Sequence, residues 1–114
     1  MSTLLTREGV LQADDLRTDT VEIPEWGGAV QVRGLTLAEV NSIVSLSTKK
    51  GITNTLDSAI WTFIRGCVSP AFTDLDFDDL KKKNAALLRA VKRINELSGM
   101  TDGGGLAVAD AEKN

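Results

Sequence analysis

The passage from Val30 to Glu39 constrains this chain more than any other. Within it the apolar period switches from two, in Ala29-Val30-Gln31-Val32-Arg33, to that of a helix. The switch is marked by Thr36-x-x-Glu39, a capping box. In that arrangement a Thr hydroxyl and a Glu carboxylate each accept a backbone N–H that the first helical turn leaves unpaired. Leu35 before the cap and Val40 at the fourth helical position are placed for a hydrophobic staple. A strand must therefore end, and a helix begin, within a few residues of Gly34.

The neighbouring segments follow from that anchor. Thr20-Val21-Glu22-Ile23 alternates like the strand after it, and Pro24-Glu25-Trp26-Gly27-Gly28 lies between the two. Pro stops a ladder and the glycines allow positive φ, so residues 20–33 read as a β-hairpin. Two strands alone are marginal, so the hairpin has to lie on something. Leu37, Val40, Ile43, Val44 and Leu46 keep helical spacing, and Lys49-Lys50-Gly51 supplies cations and a C′ glycine. This predicts a helix over about 37–49.

A second helix is expected over 54–68. Leu56, Ile60, Phe63 and Cys67 form one stripe, and Trp61, Ile64 and Val68 a second beside it. Ser58, Thr62, Arg65 and Ser69 mark the polar face. So wide an apolar arc suits a central helix or one that meets another subunit. Ser69-Pro70 ends it. A third helix is predicted over 77–97, capped by Thr73 or Asp76, with Asp76, Asp78 and Asp79 at its positive end. Phe77, Leu80, Leu87, Val91 and Ile94 mark its buried face; Ser98-Gly99 stops it. At the usual rise such a helix is roughly 30 Å long. Residues 1–19 read as a weakly ordered arm with at most a helical turn, and 99–114, with three successive glycines, as a flexible tail. The expected fold is α+β and mainly helical, a hairpin followed by three helices.

Absences exclude much chemistry. The 114 residues contain no His, no Tyr and one Cys, Cys67. Cys/His zinc sites, an intramolecular disulfide and His-assisted nucleophiles are out within one chain. A lone cysteine fits a reducing cytoplasm. The net charge of −3 disfavours non-specific nucleic-acid binding. No apolar run approaches the roughly 18 residues of a membrane span, and the N-terminus has no signal-peptide pattern. No cofactor, metal or catalytic residue is indicated, which points to a binding or assembly protein.

Several groups are candidates for partner contact or self-association. Lys81-Lys82-Lys83 with Arg89, Lys92 and Arg93 places six positive charges and no negative ones between residues 81 and 93. That face can meet an acidic partner, with Lys82, Arg89 and Arg93 as contacts. It can equally be a solvated face steadied by Asp78–Lys82 and Asp79–Lys83 pairs, the favoured reading. Trp26 is either a binding-loop tip or a side chain folded back over the hairpin. Trp61, Ile64 and Val68 are either core or a self-association surface. The acids at 74–79 lack the glycine and spacing of a calcium loop, so helix-start electrostatics accounts for them better. Cys67, on an apolar stripe, behaves as a small hydrophobe.

One family resemblance runs along most of the chain. Leu5-Thr6-Arg7-Glu8 with Ala13-Asp14-Asp15-Leu16 resembles the opening of small tail assembly chaperones of long-tailed, siphovirus-type bacteriophages. The stretch from Val21 to Thr36 is similar too, and its Pro24-Glu25-Trp26-Gly27-Gly28-x-Val30-x-Val32-Arg33 core is the most specific part. Cys67-Val68-Ser69-Pro70-Ala71-Phe72 and Ile94-Asn95-Glu96-Leu97-Ser98-Gly99 also match the pattern. The resemblance implies a non-enzymatic chaperone in the host cytoplasm. It would bind the phage tape-measure protein, help tail-tube subunits polymerise around it, and be absent from the mature virion. A homo-oligomer is expected separately, from the wide apolar arc of the second helix, and no nucleic-acid or membrane partner, from the net charge and the short apolar runs. A frameshift near Glu112-Lys113-Asn114 that extends the product is a further implication of the resemblance. The other class kept open is a structural head–tail joining or tail-completion protein retained in the virion. A carboxylate-and-lysine enzyme is a third, for which no acid spacing argues.

Overall fold

A computed structural model describes residues 4–100. The expected tail from residue 101 onward, and the expected slippage site at 112–114, lie outside the described residues. Among the described residues the fold is α+β, with five helices, a three-stranded antiparallel sheet and a two-stranded ribbon. It is therefore not the hairpin followed by three helices that the sequence suggested.

Helix α1, Arg7–Gln12, is capped by Thr6, whose hydroxyl accepts the Gly9 N–H at 3.0 Å. None of its residues is buried. Strands β1, Thr18–Ile23, and β2, Gly28–Arg33, form the hairpin, which starts two residues before the expected 20. Val21 pairs with Val30, and these two with Ile23 and Val32 make the buried face. Between the strands Pro24–Trp26 forms a 3₁₀ turn, and only Gly27 takes positive φ, 81°.

Helix α2, Leu37–Ser47, opens with the capping box: Thr36 N–H donates to Glu39 Oε1 at 3.0 Å, and Glu39 N–H to Thr36 Oγ1 at 3.2 Å. Its apolar face is narrower than the spacing implied. Ile43 is buried, but Leu37 is 87% exposed. The helix stops two residues short of the expected 49 because Lys50 and Gly51 serve a different turn. With φ of 53° and 79° they close the ribbon β3, Thr48–Lys49, with β4, Ile52–Thr53. Positive φ at both central residues is what a two-residue hairpin loop requires.

Helix α3, Thr55–Gly66, is capped by Asn54, whose side chain accepts the Asp57 N–H at 2.9 Å. It is the central helix, packed against α2 and against the last helix. Phe63, fully buried, lies at the middle of the core; burying such a ring is worth about 1.5–3 kcal/mol. Ser58 and Thr62, expected on a polar face, are buried too. Thr62 resolves this by donating its hydroxyl to the Ser58 carbonyl at 2.8 Å. The helix ends at Gly66, not 68, because Cys67–Ser69 leave it as a third strand, β5, on the far side of β2. The hairpin thus gains a partner strand as well as a helical layer.

The long helix expected over 77–97 is two helices. A 3₁₀ turn, Asp74–Asp76, leads into α4, Phe77–Lys81, and α5 runs from Leu87 to Leu97. At the break Asn84 Oδ1 accepts the Ala86 N–H at 2.8 Å, and N–H groups of Leu87 and Leu88 bond back to the carbonyls of Asn84 and Ala85. Asn84 thereby restarts the chain as an N-cap-like residue. The break has a tertiary cause: α4 packs on α3, whereas α5 packs on α3 and also across β1 and β2. One straight rod cannot satisfy both surfaces. A Cβ on Gly66 would meet Ile94 side-chain atoms at 2.6–2.8 Å, so the glycine lets α3 and α5 approach. The α5 C-terminus docks onto the β2–α2 crossover, where Leu35 N–H donates to Ser98 Oγ at 2.8 Å. Gly99, at φ 86°, closes α5, with Gly99 N–H on the Glu96 carbonyl and Met100 N–H on that of Asn95. That is a Schellman closure.

Candidate partner-binding surface

The residues singled out from sequence do not come together in one place. Trp26 turns inward from its 3₁₀ turn and meets Phe63 edge-on, centroids 6.0 Å apart and planes at 85°. It is a half-buried cover on the core, so of its two readings the folded-back one is what the structure has. Trp61 stacks on Phe77 at 4.5 Å, with the Arg65 guanidinium 5.7 Å from its ring centroid. Ile64 is buried core, while Val68 sits on β5 at 41% exposure. The expected common patch of Trp61, Ile64 and Val68 is thus split. The chain leaves the helix after Gly66, and Val68 no longer follows the helical stripe.

The basic run is split as well. Arg89 donates two parallel bonds to Glu25, Nη1–Oε1 2.9 Å and Nη2–Oε2 3.0 Å. This fork holds the Glu25 carboxyl down at about 2. Arg93 Nε donates to Asp19 Oδ2 at 2.7 Å and likewise lowers that carboxyl below its ordinary value. Both arginines therefore fasten α5 to the hairpin. Lys81 lies 3.7 Å from Asp57. The expected Asp78–Lys82 and Asp79–Lys83 pairs are missing among the described residues, because α4 ends at Lys81 and the i, i+4 spacing is lost. Lys82, Lys83 and Lys92 remain exposed.

The acids before α4 serve local structure. Asp76 Oδ2 accepts the Thr73 N–H at 2.8 Å, and Asp74 pairs with Arg65, which lowers the Asp74 carboxyl. Among the described residues no group of three or more Cys, Asp or Glu could hold a metal ion. The Cys67 thiol is buried, and that burial pushes it up to about 11, away from nucleophilic use. No helix of the described residues is long and apolar enough to cross a membrane.

What remains is apolar surface. The break between α4 and α5 opens a groove of about 210 Å³ against the start of α3. It is lined by Leu56, Ile60, Leu80, Leu87 and Leu88, together with Lys81, Lys83, Asn84 and Ala85. Leu56 is 63% exposed and Leu88 43%. The volume falls below the 300–1,000 Å³ typical of small-molecule sites. A second cleft, about 480 Å³, lies among Asp15, Leu16, Leu35, Thr36, Leu37, Leu97 and Ser98. The hydroxyls of Thr36 and Ser98 are already engaged there, in the helix cap and in the bonds to Leu35 and Ile94.

Sequence reasoning missed both this groove and the character of the N-terminal arm. The groove exists because the helix breaks; Asn84 before Ala85-Ala86-Leu87 was its available signal. On the arm, Leu4, Leu5, Val10 and Leu11 are all exposed. Compared with known proteins, the chain matches no family model, no curated protein and no solved structure.

Proposed function

We propose that this chain is a bacteriophage tail assembly chaperone that binds the tape-measure protein and promotes tail-tube assembly without catalysing a reaction. The observation that carries the reading is the groove between α3, α4 and α5. Its lining is mostly leucine and isoleucine with two lysines, and no metal-binding cluster lies among the described residues. Such a site suits the apolar face of a partner helix, with polar contacts at its edge. The sequence resemblance supplies the identity of that partner, a long helical protein whose apolar surface needs covering before assembly. Tail-tube subunits are the further partner. On this reading the chain acts in the host cytoplasm, self-associates, and leaves before the virion is complete. A longer product made by frameshifting near the gene's end belongs to the same reading.

Co-expression with the large tape-measure gene of the same genome, followed by pull-down, tests it. The expected result is a soluble complex that Leu56→Asp or Leu88→Asp weakens. Mass spectrometry of purified virions separates it from a head–tail joining or tail-completion protein: the chaperone is absent, the structural protein present.

A further inference from the structure

The three-stranded sheet has two unequal edges. On one side β5 is three residues long and runs into Pro70, so it offers little to an added strand. On the other side lies β1, six residues long. A free edge of that length is a template on which another strand can pair. The hairpin register fixes which groups line it. Gly34 N–H donates to the Arg17 carbonyl at 2.9 Å. Every second pair from there, Asp19–Val32, Val21–Val30 and Ile23–Gly28, then uses its backbone groups inside the hairpin. Thr18, Thr20 and Glu22 therefore aim theirs outward, and all three residues are exposed.

Two of those outward groups are covered from α5. Thr20 N–H donates to Asp19 Oδ1 at 2.8 Å, and the other oxygen of that carboxylate accepts Arg93 Nε at 2.7 Å. Arg89, forked on Glu25, holds its Nη1 3.5 Å from the Glu22 carbonyl oxygen. That distance is long for a bond, but an incoming N–H would have to displace the guanidinium to reach the carbonyl. The spacings agree as well. Arg89 and Arg93 are one helical turn apart, about 6 Å along the axis. Thr20 and Glu22 are two strand residues apart, about 7 Å.

We propose that Arg89 and Arg93 latch the outer edge of β1 and keep the sheet from adding a strand, so that opening the latch lets β1 pair with β1 of a second copy. The pair is antiparallel and two-fold, and it closes at two copies of the latched species because the short β5 edge adds nothing further. None of Asp19, Glu25, Arg89 and Arg93 lines the groove between α3, α4 and α5, so the latch is separate from the surface assigned to the tape-measure protein.

The test is sedimentation of the purified full chain, with amide hydrogen exchange read at Thr20 and Glu22, each variant against the parent chain at the same concentration. Arg89→Ala with Arg93→Ala should double the sedimenting mass and slow exchange at both amides by about tenfold as concentration rises. Asp19→Ala with Glu25→Ala opens the same latch from the strand side, leaves α5 whole, and should do the same. Adding Thr20→Pro to either pair should abolish the doubling and the protection of Glu22, because it removes an outward N–H and no bond of the β1–β2 ladder. Thr36→Ala, which weakens the fold away from this edge, should leave mass and exchange as in the parent. A latch variant that folds yet keeps the parent's mass and exchange overturns the proposal, as does an association that Thr20→Pro leaves intact or that Thr36→Ala reproduces.

Discussion

The segments Thr18–Ser47 and Asp74–Leu97 have similar apolar content and very different legibility. In the first, each local signal agrees with the position that packing assigns. Alternation puts Val21, Ile23, Val30 and Val32 on the buried face, and the Thr36–Glu39 box starts α2 where the sheet lets go. In the second, local signals agree with one another but not with the fold. Leu80, Leu87, Val91 and Ile94 keep one helical face across residues 77–97, and all four are buried, yet the helix is broken between them. Periodicity reports which side chains are buried. It does not report whether the surface receiving them is one surface or two.

The largest effect that probes this contrast comes from the anchor of the second segment. Ile94 is fully buried against Gly66. Ile94→Ala should cost about 2–5 kcal/mol in denaturant unfolding. A cost under about 1 kcal/mol would mean that α5 is only loosely set on α3. Next is the cap of the first segment, where Thr36→Ala should cost about 1 kcal/mol.

The break itself gives a sharper comparison. Asn84→Ala removes the bond to Ala86 N–H and favours a continuous helix. If packing and not Asn84 causes the break, far-UV circular dichroism keeps the same helix content and stability falls by about 0.5–1 kcal/mol. A rise in helicity would show that one asparagine was holding two helices apart.

The smallest effect is the pH dependence of the ties between the segments. Glu25, held by Arg89, has its carboxyl at about 2 against an ordinary 4.5. Its native pKa is depressed, so its stabilisation is complete above about 4.5 and is lost as pH falls from there toward 2. Asp19, held by Arg93, moves in the same direction. Arg89→Ala should therefore flatten the loss of stability in that acid range and leave stability near pH 9 nearly as steep or flat in pH as before. An unchanged acid slope would show that the fork is not formed in solution.

The candidate surface was less legible than the fold. Arg89 and Arg93 read as a solvated face or a face for an acidic partner because their acids, Glu25 and Asp19, lie more than sixty residues earlier. Ser58 and Thr62 looked like a solvent face because hydroxyls usually are exposed; here Thr62 bonds to its own helix and so tolerates burial. Val10 and Leu11 of α1 were visible as residues, but their lack of any cover was not.

By itself the sequence determined what needs only neighbours along the chain: the hairpin, the capped start of α2, an apolar central helix, and the exclusion of histidine chemistry and of a disulfide within the chain. These follow from backbone hydrogen bonding and side-chain period, which act over a few residues. The tertiary structure decided where α3 yields to β5, where the last helix divides, and which charges are used up inside the fold. Each of those depends on surfaces brought together from distant parts of the chain, where packing outweighs a local helical preference worth only a fraction of a kcal/mol per residue.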